Sequence, residues 1–380
     1  MIGGEHEART PIPFDNSVWA ADLIVDADDG DDDDGSQEWQ WRLIKNNPSS
    51  SSSTSTSTSS PPLRIAHAQA VHNNQHVYIF GGRAGVDMNE SAMRDLWKLD
   101  CSGPPGSETW SEVTYHPRHR MNIPEARSFH KMICVGDSLF VSCGCGAGKS
   151  GRLNDLYKFD IDIDGNGSGG NGSGGNGNGS GGQWHLLGKS GLRGRGGPNL
   201  LSLASGTKIG IVAGFAGEET NDGHVYDLKK QQWDSNADNV PLLTDHLKGM
   251  RPRSVCASAS FSSLGCSVVF GGEVDPSDRG HEGAGGFEND IVILDEGTGA
   301  YVTTIAAPAS ASDGDGDESS SAFWPKQRGW SDAAGIVKSG DGSEARTRTG
   351  LFYVFGGLSG DDVSPERLDD LIVLVIRKEV

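Results

Sequence analysis

The chain has 380 residues, 55 of them glycine, and carries a formal net charge of −20 at pH 7. This acidic balance excludes nucleic acid as the expected partner, because binding to phosphate backbones depends on Lys and Arg. No apolar run approaches the roughly 20 residues that span a bilayer. The first residues lack the apolar core of a signal peptide, and the six cysteines form no Cys-x-x-Cys pair. We therefore expect a reduced, cytoplasmic protein that is not bound to a membrane.

The predicted elements repeat in one order along the chain: a short apolar strand, a glycine corner, a polar loop and an acidic strand. Doublets occur at Gly3-Gly4, Gly81-Gly82, Gly271-Gly272 and Gly356-Gly357, with looser forms at Gly144-Cys145-Gly146 and Gly214-Phe215-Ala216-Gly217. The apolar strands before the last five corners are predicted at 76–80, 138–142, 209–213, 266–270 and 351–355. An arginine precedes each of these strands, at Arg64, Arg127, Arg195, Arg253 and Arg328.

A repeat of roughly 50 to 70 residues with four short strands is typical of a propeller blade, and the double glycine is typical of its kelch form. The acidic third strands are predicted at 95–100, 154–160, 223–227, 289–295 and 369–375. We therefore predict a single all-β domain over 1–380, a six-bladed kelch β-propeller. The chain starts in the middle of the first blade, at Gly3-Gly4, which predicts that this blade is truncated at the N-terminus.

Four low-complexity segments interrupt the predicted ring, at 26–35, 49–60, 165–182 and 306–322. Each falls between strands, where added loop length has a small entropic cost. Their Asp-, Ser- and Gly-rich composition does not supply apolar surface for a core, so the sequence predicts disordered loop inserts.

The loops after the glycine corners are predicted to meet at one end of the ring. They contain Arg83, Arg152, Glu219 and Glu273. These residues are either solvent-exposed charges or the lining of a narrow mouth that suits a small anion. Residues 273–281 contain three carboxylates and one imidazole. They form either an acidic surface loop or a ligand set for a divalent metal such as Fe(II).

Several motifs together resemble the kelch specifier proteins of glucosinolate breakdown, which are nitrile-, epithio- and thiocyanate-forming proteins. The similar stretches are 151–156, 194–198, 214–219 and 273–285, and the resemblance covers nearly the whole chain outside the inserts. It implies a non-redox, Fe(II)-dependent steering of a thiohydroximate-O-sulfate toward a nitrile-type product.

The resemblance also implies roles for individual residues. Arg83 and Arg152 match the arginines that hold the sulfate, and Trp330 matches a pocket tryptophan. The implied iron ligands are Glu273, Asp278 and His281, although the family's middle position is Ser277 here.

Two other interpretations remain open. Kelch rings also act as non-catalytic scaffolds that present loops to a protein partner, and a fold alone does not fix function. The predicted partner is therefore a small anionic substrate or another protein. A copper radical oxidase is the weakest alternative, because few tyrosines lie in the corner loops.

Overall fold

Five antiparallel sheets of three or four strands surround a common axis. The computed structural model describes residues 5–7, 10–12, 18–24, 38–44, 60–85, 92–113, 115, 122–161, 182–235, 241–280, 283–308, 324–338 and 347–379. Within them, the innermost strand of each sheet lies beside the innermost strand of the next. The predicted all-β propeller is confirmed. The described residues contain no helix long and apolar enough to cross a membrane.

The strands before and within the first two blades are formed in chain order. Two short ribbons come first, β1 (Glu5–Glu7) with β2 (Thr10–Pro11) and β3 (Trp19–Ile24) with β4 (Glu38–Leu43). The first blade contains β5 (Ala68–His72), β6 (His76–Phe80), β7 (Leu96–Asp100) and β8 (Thr109–Glu112). At the second corner, β9 (Arg127–Ser128) pairs with β12 (Cys145–Gly146); the second blade is formed by β10 (Lys131–Val135), β11 (Ser138–Ser142), β13 (Asp155–Asp160) and β14 (Gln183–Lys189).

The other three blades follow the same meander. The third contains β15 (Asn199–Leu203), β16 (Lys208–Phe215), β17 (Glu219–Asp227) and β18 (Gln232–Trp233), and the helix α1 (Leu242–His246) follows it. The fourth contains β19 (Ala257–Phe261), β20 (Cys266–Phe270), β23 (Ile291–Asp295) and β24 (Tyr301–Ile305), with β21 (Glu273–Asp275) and β22 (Gly286–Phe287) paired at its corner. The fifth contains β25 (Asp332–Lys338), β26 (Thr347–Gly360) and β27 (Pro365–Glu379).

The prediction of six blades is wrong for the described residues, which form five blades and the ribbon β3–β4. The ribbon lies between the first and fifth blades. Its flanking residues Val18 and Ile44 pack with Trp97 of the first blade, and Trp41 contacts Phe355 of the fifth blade with ring centroids 5.6 Å apart. Within the described residues, the two ribbons β1–β2 and β3–β4 follow the first predicted corner, and no four-stranded sheet precedes the blade that begins with β5. The truncation of that blade stays a prediction.

One side-chain contact recurs in all five blades: a buried arginine forms a two-pronged ion pair with an aspartate on the third strand. The closest N–O distances are 2.5–2.7 Å in Arg64–Asp95, Arg127–Asp155, Arg195–Asp222, Arg253–Asp290 and Arg328–Asp370. Each arginine side chain is at most 1% exposed. Such a fork satisfies the planar donors of Arg in a way that Lys does not reproduce.

Each of these arginines also binds its own glycine corner. One Nη donates to the carbonyl oxygen of the first corner residue, which is Gly81, Cys143, Ala213, Gly271 or Gly356. The Nε donates to the carbonyl oxygen two residues before the arginine. Each arginine thereby connects three parts of its blade: the segment before the innermost strand, the glycine corner and the third strand.

Only the second position of each corner requires glycine. Its φ lies between 96° and 114° at Gly82, Gly144, Gly214, Gly272 and Gly357. A Cβ on Gly272 would lie 2.7 Å from the carbonyl oxygen of Ser254. The first position has φ near 60° and accepts Cys143 and Ala213. The corners of the second and third blades are therefore Cys143-Gly144 and Ala213-Gly214, one residue earlier than the looser forms identified in the sequence.

The four predicted inserts fall almost wholly outside the described residues. Of 26–35, 49–60, 165–182 and 306–322, the structure describes residues 60, 182 and 306–308 alone. Their disorder stays a prediction.

Removing one arginine fork should strongly destabilise the ring. We expect Arg127→Met to lower the free energy of unfolding by about 3–5 kcal/mol, because it leaves the carboxylate of Asp155 without its partner. Urea denaturation followed by tryptophan fluorescence measures the change. Arg193→Met is the control, since its ion pair with Glu218 is largely exposed and should contribute less than about 1 kcal/mol. Equal losses in the two variants would contradict this interpretation.

Candidate functional site

Two sets of equivalent residues surround the axis at the end of the ring where the corners lie. The central set follows each buried arginine by two residues and consists of Ala66, Phe129, Gly197, Val255 and Trp330. The corner set follows the second corner glycine and consists of Arg83, Cys145, Phe215, Glu273 and Leu358. Each corner-set residue pairs with the residue directly after a buried arginine. Residues far apart in sequence therefore meet around the axis.

The backbone of the central set runs from blade to blade through hydrogen bonds. The amide nitrogens of Phe129, Gly197, Val255 and Trp330 donate to the carbonyl of the preceding member, at 2.8–2.9 Å. All five members have φ between 48° and 61°. This left-handed conformation is unusual for Phe, Val and Trp and costs of order 1–3 kcal/mol at each. The ring of hydrogen bonds holds these residues in place.

Two of the predicted site residues meet at Phe129. The rings of Phe129 and Trp330, from the second and fifth blades, are 5.6 Å apart and nearly perpendicular. The guanidinium carbon of Arg83 lies 5.3 Å from the centroid of Phe129, and its Nε donates to the Ser128 hydroxyl at 3.0 Å. Arg83 is 4% exposed. An aromatic pair with a buried arginine beside it thus lies at the centre of the ring.

Arg152, the other predicted anion-binding residue, lies on the neighbouring part of the same end. Its guanidinium carbon is 4.6 Å from the centroid of Phe215, and its backbone bridges to Cys145. Burial raises the pKa of the Cys145 thiol, while the charges of Arg152 and Arg83 lower it in part. Both arginines therefore act on the same thiol, which places them on one side of the ring, and Arg152 is the more exposed.

Two carboxyls, from the third and fourth blades, lie next to this region; Glu219 pairs with Phe215, the residue that Arg152 contacts. Burial raises the pKa of Glu219 to about 8; the Ser254 hydroxyl, which donates at 3.2 Å, opposes this and the charge of Glu273 adds to it. Burial likewise raises the pKa of Glu273 to about 7, against a hydrogen bond from the Ser277 backbone. The third and fourth blades thus carry carboxyls whose charged forms are disfavoured, because water solvates them poorly.

The predicted iron ligands do not form a complete set within the described residues. Glu273 is buried and bonded to the backbone of its own loop. Asp278 is exposed, and its backbone nitrogen donates to Asp362 at 3.3 Å. His281 lies outside the described residues. No group of three or more His, Cys, Asp and Glu side chains that could hold a metal occurs in the described part of the chain. The Fe(II) site stays a prediction.

Sequence reasoning identified Arg83, Arg152, Glu273 and Trp330 but missed the aromatic residues between them. Phe129 occupies the same repeat position as Trp330, two residues after a buried arginine, and Phe215 occupies the same position as Arg83. An alignment of the repeats on the buried arginines would have found Phe129, and an alignment on the second corner glycine would have found Phe215. The shift of one residue at the third corner concealed the equivalence of Phe215 and Arg83.

The buried carboxyl of Glu219 predicts a contribution to stability that decreases as pH rises. Its folded pKa, about 8, lies above its ordinary value of 4.5, so between these values the folded carboxyl binds more protons than the unfolded one. The buried His130 and His224, whose pKa values burial lowers, act in the opposite direction, so the test is the change caused by Glu219→Gln, which should raise the slope of the free energy of unfolding against pH by up to about 1.4 kcal/mol per pH unit. Denaturant titrations between pH 5 and 8 measure the slope. Glu218→Gln, on the exposed neighbour, should leave it unchanged; an unchanged slope in Glu219→Gln would disprove the assignment.

A family comparison agrees with the observed repeats. The family described as the KLHDC2/KLHL20/DRC7 Kelch-repeats domain matches residues 29–272, more than half of the chain. The matched range contains the first three blades and reaches the second corner glycine of the fourth. It supports the kelch part of the predicted resemblance, while the relationship to specifier proteins stays a prediction. The five-fold corner, the meandering sheets and this match together show that the chain belongs to the KLHDC2/KLHL20/DRC7 kelch-repeat family.

Proposed function

We propose that this chain is a non-catalytic binding module that recognises a partner protein at the corner end of the ring. The observation that carries the proposal is the contact of Phe129 with Trp330, which joins the second and fifth blades at that end. A small-molecule site is normally concave and encloses its ligand. Here two half-buried aromatic rings lie beside the buried Arg83, and such a packed group of side chains is better suited to contact a protein segment.

The residue types at this end are those that contribute most to protein interfaces. Trp and Arg are over-represented among interface residues whose truncation costs the most binding energy. Trp330 and Arg152 are of these types, and Arg152 is exposed with its guanidinium held on the face of Phe215. A held guanidinium loses less conformational entropy on binding than a free one.

The charges of this end would orient the partner. Arg83 and Arg152 come from the first two blades, and Glu219 and Glu273 from the third and fourth. Arg83 and Arg152 are positively charged, whereas the raised pKa values of Glu219 and Glu273 reduce their negative charge near pH 7. A partner segment with an acidic group beside the arginines and a hydrogen-bonding group beside the two carboxyls fits this arrangement in one direction only. Charge complementarity of this kind contributes more to specificity than to affinity.

A displayed random-peptide library selected against the folded protein tests the proposal. We expect enriched peptides to bind with a micromolar Kd, and Arg152→Ala to weaken them about tenfold, since one charged interface contact contributes about 1.4 kcal/mol. Arg348→Ala is the control, because Arg348 is exposed and bonds to Ser263 away from the corners. Failure to select any peptide with saturable binding, or equal weakening by both variants, would contradict the proposal.

Metal analysis separates this function from the specifier-like one that the sequence resemblance implies. A binding module requires no iron, so wild type and His281→Ala should retain the same background of Fe(II) after dialysis against the metal. If the wild type instead retains about one Fe(II) per chain and His281→Ala loses it, the ligand set of Glu273, Asp278 and His281 is supported. Product analysis with a thiohydroximate-O-sulfate would then decide whether the protein steers its breakdown.

A further inference from the structure

A cavity of about 180 Å³ lies where the ribbon β3–β4 meets the fifth blade. Three aromatic rings and one carboxylate line it: Trp19, Trp41, Phe355 and Asp369. None of these residues belongs to the central or corner set. The cavity is therefore separate from the surface assigned to the partner protein.

The ribbon register explains why two tryptophans face this cavity together. Trp19 lies opposite Leu43, and Trp41 lies opposite Ala21. Opposed residues of antiparallel strands share a face, as do residues two apart along one strand. Trp19 and Trp41 are therefore diagonal neighbours on one face, and Trp41 reaches Phe355 at 5.6 Å with the rings tilted by 59°.

Trp41 is less covered than its counterpart in another blade. Trp184, at the start of the outer strand of the second blade, is fully buried between Phe80 and Phe159. Trp41 is 39% exposed. Its ring face therefore remains accessible to a ligand, whereas that of Trp184 is used in packing between blades.

Asp369 also departs from the repeat. The residue before the fork aspartate is Asn154, Asn221 or Asn289 in the second, third and fourth blades, and its side-chain amide donates to a backbone carbonyl at the start of the next blade. A carboxylate has no proton to donate in this way. Within the described residues, the structure shows no hydrogen bond or ion pair to the exposed side chain of Asp369. Its negative charge faces the aromatic rings without a protein partner there.

We propose that this cavity binds a trimethylammonium group. A quaternary ammonium ion is attracted by the faces of aromatic rings within about 6 Å of their centroids, and tryptophan is the strongest of these. A trimethylammonium group has no N–H and therefore needs no hydrogen-bond acceptor. The carboxylate of Asp369 attracts it by charge alone. The formal net charge of −20 favours its approach.

Two sources present this group, and their shared chemistry is what the cavity recognises. One is a free quaternary ammonium compound such as choline. The other is a trimethylated lysine on a protein segment. Isothermal titration with choline, with a short peptide containing trimethyl-lysine and with the same peptide unmethylated distinguishes them.

The decisive comparison replaces the charge and keeps the shape. We expect choline or the trimethylated peptide to bind saturably and to quench tryptophan fluorescence. The neutral analogue 3,3-dimethylbutanol should bind at least about tenfold more weakly than choline, because it lacks the cation–π attraction. Binding of choline alone assigns a small-molecule ligand, and stronger binding of the trimethylated peptide assigns a protein. No saturable binding of either, or equal binding of the neutral analogue, overturns the proposal.

Two variants locate the site. Trp41→Leu keeps an apolar side chain but removes the ring face, and it should abolish saturable binding. Asp369→Asn places the residue type of the other blades there and should weaken binding about tenfold. Asp245→Asn, at an exposed residue on α1, changes the net charge equally and should have no effect. Circular dichroism confirms that each variant is folded; binding that survives in folded Trp41→Leu and Asp369→Asn overturns the assignment.

Discussion

The fold depends on one interaction repeated five times, the fork of a buried arginine on an aspartate. Burial acts to raise the pKa of Asp95 and Asp222, but the hydrogen bonds and charges of Arg64 and Arg195 hold both pKa values below the ordinary value of Asp. Because each arginine also binds the carbonyl of its corner, the fork sets the position of the corner relative to the sheet. A buried ion pair often adds little net stability compared with an apolar replacement. Here its main effect is to position the corner and the third strand in every blade of the ring.

The chemistry at the corner end follows from this constraint. The amide nitrogens of Gly82, Gly144, Gly214 and Gly272 donate to the carbonyl of the arginine in the next blade at 2.8–2.9 Å. The same link that joins two blades therefore fixes the residues on either side of it. The hydrogen bonds that join the blades therefore also position the side chains of the central and corner sets. Substitution of the exposed Arg152 would change recognition without altering the fork.

The candidate sites lie where the repeat is broken. At the axis, positions that could all hold small residues instead hold Phe129 and Trp330, which meet across the ring. At the seam, a two-stranded ribbon stands beside the fifth blade, and Asp369 replaces the asparagine that joins other blades. Repetition secures the fold, and both proposed sites use residues that depart from the repeat.

The architecture class follows from sequence alone, since the spacing of glycine corners, arginines and acidic strands predicts kelch blades. The charged residues of one end could also be identified, because Arg83, Arg152 and Glu273 follow the corners. The number of blades and the contact between Phe129 and Trp330 became evident from the three-dimensional arrangement. Local patterns specify strands and turns, because these depend on neighbouring residues. The closure of a ring depends on side chains hundreds of positions apart, such as Gln69 and Asp332, and no local pattern encodes that contact.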